Sequence, residues 1–121
     1  MYFIEGQSHD PAYNLALEEH LYRSVNEGHP GYFLLWQNAP SIIVGRFQNT
    51  AQEVNRPFVE ERGIHVVRRI SGGGAVYHDL GNVNYSFIVP NDEGTPFDFA
   101  RHARPVIDAL AKLGEIGRAH V

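Results

Sequence analysis

Arg68-Arg69-Ile70-Ser71-Gly72-Gly73-Gly74-Ala75-Val76-Tyr77-His78-Asp79 is the most informative stretch of the 121 residues. Three glycines in a row do not belong in regular structure, because glycine loses more chain entropy on ordering than any other residue. Before them, Ile64-His65-Val66-Val67-Arg68-Arg69 reads as a strand. After them, Ala75-Val76-Tyr77-His78 resumes an extended pattern. The order is strand, glycine bend, strand. Lacking Cβ atoms, such a bend can take positive φ and turn successive N–H groups toward one point, making a nest for an anion. Arg69 adds a fork for phosphate or carboxylate, and Ser71 adds a hydroxyl. A flexible hairpin tip explains Gly-Gly-Gly equally well when the run stands alone. Its place directly after two arginines and before His78 and Asp79 favours the anion. No Gly-Lys-Ser/Thr follows, so this is not a Walker loop. A strand and not a helix comes next, so it is not a dinucleotide fingerprint.

Working outward, Asn84-Tyr85-Ser86-Phe87-Ile88-Val89 is a further strand, with Tyr85, Phe87 and Val89 on one face. Asp79 is read as the cap of the intervening turn. Upstream, Tyr32-Phe33-Leu34-Leu35-Trp36 and Ser41-Ile42-Ile43-Val44-Gly45 are two β-rich runs around Asn38-Ala39-Pro40, and their closeness predicts a hairpin. Thr50-Ala51-Gln52-Glu53 matches a capping box, and residues 57–62 form a helical turn closed by Gly63. Residues 1–5 read as a first strand. Asp10 and Pro11 suit the cap and first position of a helix. Leu15, Leu21, Tyr22 and Val25 space that helix, and Gly28 ends it. A last helix is expected over 97–113, with Val106, Ala109, Leu110 and Leu113 on one face and Gly114 as cap. Pro105 should kink it or mark its true start. The fold class expected is mixed α/β (α+β): a mainly antiparallel sheet with flanking helices.

Composition agrees with an ordinary globular domain: 43% hydrophobic and 20% charged residues. Ten basic against fourteen acidic side chains leave a charge of −4, which argues against a general nucleic-acid binder. No apolar run approaches the length of a membrane span. Met1 opens directly onto Tyr2-Phe3-Ile4-Glu5, so no secretory signal is expected. The absence of cysteine excludes disulfides, thiolate zinc sites and a cysteine nucleophile within these residues. The histidines lack paired spacing, so no metal site built by protein ligands is expected. The cytoplasm is the default compartment.

Several residues carry two readings each. Trp36 is either core or the best candidate for an apolar ligand slot. His78 either bonds a ligand or bonds nearby backbone. Glu18 and Glu19 form a solvated helix face unless one turns toward the site. Arg46 binds phosphate or lies on the surface.

The segment Arg-Arg-x-Ser-Gly-Gly-Gly-Ala-Val-Tyr-His-Asp-Leu-Gly-Asn resembles the signature of the lipoate–protein ligase A family. Asp10-Pro11 with Asn14-Leu15-Ala16-Leu17-Glu18-Glu19 is similar to that family's first helix. Trp36-Gln37-Asn38, Val44-Gly45-Arg46-Phe47-Gln48-Asn49 and Asn84-Tyr85-Ser86-Phe87 are similar to its later segments. The resemblance covers residues 1 to about 114 and implies the fold of biotin–protein ligases and class II synthetases. It implies that lipoate and ATP, with Mg²⁺, give lipoyl-AMP, and that the lipoyl group passes to a lysine of a carrier. The carriers implied are lipoyl domains of 2-oxoacid dehydrogenase complexes or the glycine cleavage H protein. By the resemblance, Arg69, Ser71, Gly72, Gly73, Gly74, Ala75, Val76, Tyr77 and His78 line the lipoyl-AMP site. Leu15, Leu17, Trp36, Val44 and Gly45 shape the lipoyl pocket.

The chain also departs from the family. A later Gly-Arg-Asn-Asp segment and a catalytic lysine lie beyond it. Lys112, the single lysine, is about 200° around its helix from Leu110 and does not replace that group. Residues 115–121 do not continue the pattern and resemble an in-frame translation of a sequencing adapter, so they are read as a non-native or disordered tail. The competing functions are an ATP-independent octanoyl or lipoyl transferase of the same fold, and a non-catalytic lipoyl- or nucleotide-binding module. A biotin ligase fits the glycine run less well.

Overall fold

The structure is a computed structural model and describes residues 1–90 and 99–114. It divides into two compact units, Met1–Asn91 and Asp92–Val121. The expected tail, 115–121, and the start of the last helix lie outside the described residues.

The first unit carries β1 (Tyr2–Glu5), α1 (Pro11–Ser24), β2 (Tyr32–Trp36), β3 (Ser41–Val44), α2 (Thr50–Glu53), α3 (Arg56–Arg62), β4 (His65–Arg68), β5 (Val76–His78) and β6 (Asn84–Ile88). The strands form two three-stranded sheets, ordered β1-β2-β6 and β4-β3-β5. Each mixes one parallel pair with one antiparallel pair: β1–β2 and β3–β4 run parallel, β2–β6 and β3–β5 antiparallel. The mixed α/β class expected from the sequence is the one observed, but the strands divide between two sheets.

The expected hairpin of β2 and β3 does not form. Both edges of each strand are already paired with other strands. The short link is held elsewhere: the Ala39 amide donates to the His9 carbonyl at 2.8 Å, and the Pro40 carbonyl accepts from His65 at 3.1 Å. Asn38-Ala39-Pro40 is therefore a crossing from one sheet to the next, and it sets the end of β2 beside the start of β3.

Helix α1 begins as its residues dictate. The Asp10 carboxylate accepts from the amides of Ala12 and Tyr13 at 2.9 and 3.5 Å, and Pro11 needs no donor partner. It ends at Ser24, earlier than the glycine signal suggested. Val25 turns extended and packs against the core, and Gly28 serves the following turn at φ 85°. The core under α1 is Leu21, Leu34, Trp36 and Ile88, flanked by Ile4, Leu15, Leu17, Val25 and Tyr32. The helix reaches β2 and β6 of one sheet and β4 of the other, so it spans both. On the opposite face of the first sheet, Phe3, Phe33 and Phe87 lie in register, with ring centroids 5.9 and 4.8 Å apart.

The capping residue of α2 is Asn49 and not Thr50: the Asn49 side chain accepts from the Ala51 amide at 3.1 Å. The Thr50 hydroxyl is taken by Arg68, which displaces it from the expected box. Gly63 closes α3 in the left-handed region, as expected.

The second unit holds α4 (Phe99–Lys112). The helix already runs six residues before Pro105, so this proline does not mark its start. The half-buried stripe is His102, Ala103, Val106, Ile107 and Leu110, whereas Ala109 and Leu113 are exposed. Gly114 follows at φ 84°, a capping conformation. Lys112 is exposed.

Candidate functional site

The glycine bend joins β4 to β5, the two strands that flank β3. Arg69, one residue beyond β4, is turned toward its own loop. Its guanidinium donates to the carbonyls of Ile43 at 3.2 Å, Gly72 at 2.9 Å and Gly74 at 2.7 Å. The sequence reading made Arg69 a direct phosphate contact, whereas here it holds the bend. With the carbonyls of Gly72 and Gly74 drawn to the guanidinium, the amides of Gly72, Gly73 and Gly74 donate to no acceptor among the described residues. They are exposed. Gly73 has φ 104°, which glycine tolerates and a side chain does not. Carbonyls occupied by a guanidinium, with neighbouring N–H groups left without an acceptor among the described residues, suit an anion nest.

Gly45, at the end of β3, is buried against this bend. A Cβ there would collide with the Gly73 carbonyl oxygen, so the close approach requires glycine at 45. The adjoining Arg68 was not singled out by the sequence reading. It points away from Arg69, as alternate strand residues do. It donates to the carbonyls of Gly45, Arg46 and Gln48 at 2.9, 3.2 and 2.7 Å, and to the Thr50 hydroxyl at 2.8 Å. The Gln48 side chain accepts from the Gly45 amide at 2.8 Å, and the Arg46 amide donates to the Ser71 carbonyl at 2.9 Å. Two neighbouring arginines thus organise two loops, 45–50 and 72–74, and the Arg46–Ser71 bond ties them together. Arg46 itself is exposed over the Phe47 ring at 5.3 Å. The Ser71 hydroxyl is exposed in the bend.

Val76, Tyr77 and His78 pair with Ile43, Ile42 and Ser41. Val76 and Tyr77 are exposed, as is Ala75 before them. His78 faces inward and meets Trp36 edge-on, with centroids 6.1 Å apart. Its Nδ1 lies 3.0 Å from the Asn38 side-chain nitrogen. Asn38 in turn accepts from Asn14 at 2.9 Å, and both asparagines are buried. Burial, and secondly the charge of Arg69, hold the His78 pKa below its ordinary value of 6.5. Asp79 caps the next turn, as expected, accepting from the Gly81 amide at 2.8 Å.

Trp36 is buried in the core cluster, its Nε1 donating to the Ser86 hydroxyl at 3.0 Å. Ser86 donates to the Glu18 carboxylate, so Glu18 turns inward. Glu19, half-buried, pairs instead with the exposed Arg23 at 2.8 Å. Leu15 and Leu17 pack against the same core, and Val44 is fully buried beside Gly45. Leu17 also lines a cavity of about 430 Å³ with Ile4, Gly6, Gln7, Ser8 and Tyr13. A second cavity, about 230 Å³, lies by α2 and α3, lined by Val54, Val59, Ile64 and Val66 among others. Neither is lined by the glycine bend. Among the described residues no group of three or more His, Asp or Glu side chains could hold a metal ion, and no helix is long and apolar enough to cross a membrane.

Comparison with known proteins agrees with this arrangement. Residues 10–120 match the lipoyl protein ligase A/B catalytic domain. The chain is 50% identical over 115 residues to lipoate-protein ligase LplJ of Bacillus subtilis (strain 168), which covers 94% of this chain and 34% of that protein. It is 49% identical over 105 residues to lipoate–protein ligase 1 of Staphylococcus aureus (strain Mu50), covering 87% and 32%. It thus spans about a third of the length of these relatives. Among solved structures, a lipoate-protein ligase A bound with ATP superposes with a TM-score of 0.81 at 31% identity, over 99% of this chain and 50% of that one. Plasmodium falciparum LipL1 in complex with lipoate gives 0.82 at 30%, over 92% and 35%. A structure from an archaeal lipoylation system, a bi-partite lipoate protein ligase and its E2 lipoyl domain from Thermoplasma acidophilum, gives 0.82 at 31%, over 98% and 48%. With a signature loop braced by its own arginine and a family match over nearly its whole length, this chain belongs to the lipoyl protein ligase A/B catalytic domain family.

Proposed function

We propose that residues 1–114 are the N-terminal portion of a lipoate–protein ligase catalytic domain that makes lipoyl-AMP from lipoate and ATP and passes the lipoyl group to a carrier lysine. The observation that carries this is the polarity of the glycine bend: Arg69 takes the carbonyls of Gly72 and Gly74, and three successive amides have no acceptor among the described residues. Adenylation joins two anions, and fixed N–H donors stabilise the charge that develops at the phosphate without moving a proton. Ser71 flanks the bend on the β4 side, and Ala75, Val76, Tyr77 and His78 lead from it into β5. Leu15, Leu17, Trp36, Val44 and Gly45, gathered under α1 and at the end of β3, form the apolar side where the dithiolane tail lies. Ligases of this fold bound with ATP and in complex with lipoate, and an archaeal lipoylation system described as a ligase and its E2 lipoyl domain, support the reading.

Mg²⁺ enters as the ion that accompanies ATP phosphates. The carriers are lipoyl domains of 2-oxoacid dehydrogenase complexes or the glycine cleavage H protein, and the compartment is the cytoplasm. By the family's pattern, the lysine that grips phosphate and carbonyl belongs to a later segment than these residues. Two assays test the reading. The complete gene product should show lipoate-dependent ATP–pyrophosphate exchange and should lipoylate an apo lipoyl domain. The 121 residues alone should show negligible exchange. Transfer that proceeds without ATP would instead assign the transferase reaction. Saturable binding without turnover by the complete product would assign a binding module.

A further inference from the structure

A line of three side chains, Asn14, Asn38 and His78, runs from α1 to β5, and its polarity is fixed at one end by the backbone. The Asn14 side-chain nitrogen lies 2.9 Å from the carbonyl oxygens of both Ser8 and Gln37. A carbonyl oxygen only accepts, so this atom is the amide nitrogen; the flipped amide would set oxygen against two oxygens. The same nitrogen lies 2.9 Å from the Asn38 side-chain oxygen, sharing its two hydrogens among three acceptors; an NH₂ of Asn38 in that place would set donor against donor. The other end of the Asn38 amide is then NH₂, and it lies 3.0 Å from His78 Nδ1. A donor facing Nδ1 requires a lone pair on Nδ1, which leaves the ring proton on Nε2. Asn14 and Asn38 are 1% and 0% exposed, so water does not compete for these bonds.

We infer that Asn38, oriented by Asn14, is a positioning residue that holds His78 as the neutral Nε2–H tautomer and aims one proton donor out of the buried network. Neither asparagine belongs to the glycine bend or touches it directly. Burial and the nearby Arg69 charge act in the same direction, against the imidazolium. That Nε2–H serves a lipoyl-adenylate rests on the function proposed above; the tautomer itself does not.

Nitrogen-detected NMR of the 121-residue chain decides the inference, with His78 assigned by loss of its signal in His78→Gln. The expected result at neutral pH is an unprotonated Nδ1, a protonated Nε2, and a through-bond coupling between His78 Nδ1 and the Asn38 side-chain nitrogen. Asn38→Asp keeps an acceptor for Asn14 but replaces the donor facing His78, so His78 should shift to the Nδ1–H or imidazolium form. A proton on Nδ1 in the wild type overturns the inference without any variant. So does an unchanged tautomer in folded Asn38→Asp. The ligand is tested separately: added lipoyl-AMP should shift Nε2 in the complete gene product. An unmoved Nε2 there, with the tautomer as inferred, would count against the function and leave the positioning role standing.

Discussion

The Gly73 carbonyl oxygen occupies the space that a Cβ on Gly45 would need. This single contact joins the end of β3 to the bend between β4 and β5, and it makes glycine obligatory at a buried position outside the triple-glycine run. Gly45→Ala should therefore displace the bend and cost about 1–3 kcal/mol, as overpacking does. Gly72→Ala should leave stability within about 0.5 kcal/mol, because a Cβ there meets nothing within 4 Å and its φ is not in the left-handed region. Urea midpoints of the two variants check the contrast. Equal midpoints would contradict the packing described.

Arg69→Lys should loosen the bend while keeping its charge. A lysine ammonium is a point donor and cannot span the carbonyls of Ile43, Gly72 and Gly74 as the fork does. The expected loss is about 1–2 kcal/mol, set below the sum of three charge-assisted bonds because the loop is exposed. Faster amide exchange confined to residues 69–76 is the measurement. Exchange equal to wild type would show that charge alone suffices.

Ser86→Ala should cost about 1–3 kcal/mol, because it leaves the buried Trp36 N–H without an acceptor. Glu19→Ala, which removes an exposed pair with Arg23, should cost only about 0.3–0.5 kcal/mol. Chemical denaturation followed by Trp36 fluorescence compares them directly.

Acid should weaken the fold partly through His78. Its pKa in the folded chain is lowered, so the unfolded chain binds the proton first as pH falls through about 6.5. His78 therefore contributes stability that is present above 6.5 and is lost as pH drops toward its folded pKa. The slope of stability against pH in that window should be smaller in His78→Gln than in wild type. An identical slope would remove His78 from the acid response.

Most strand and helix positions were legible because they rest on local chemistry: Asp10 before Pro11, Gly63 after α3, and alternation in β6. The glycine bend was legible because three missing Cβ atoms leave few other uses. The pairing of strands was not. Short distance along the chain suggested a β2–β3 hairpin, but bonds from Ala39 to His9 and from His65 to Pro40 carry the link between sheets, and those partners are distant in sequence. Arg69 showed its charge in the sequence but not its direction, which depends on where Ile43 lies. Asn14 and Asn38 looked like an ordinary helix residue and a turn residue; only the fold brings them together as a buried pair. Glu18 and Glu19 are adjacent, and only the packing of α1 decides that Glu18 meets Ser86 while Glu19 meets Arg23.

The most direct test is to titrate the ¹⁵N-labelled 121-residue chain with a hydrolysis-resistant lipoyl-adenylate and follow the amides of Gly72, Gly73 and Gly74. Saturable shifts, largest at those three N–H groups and abolished by Gly45→Ala, are predicted. Shifts centred elsewhere, with these three glycine signals unmoved at saturation, would contradict the anion-binding role of the bend.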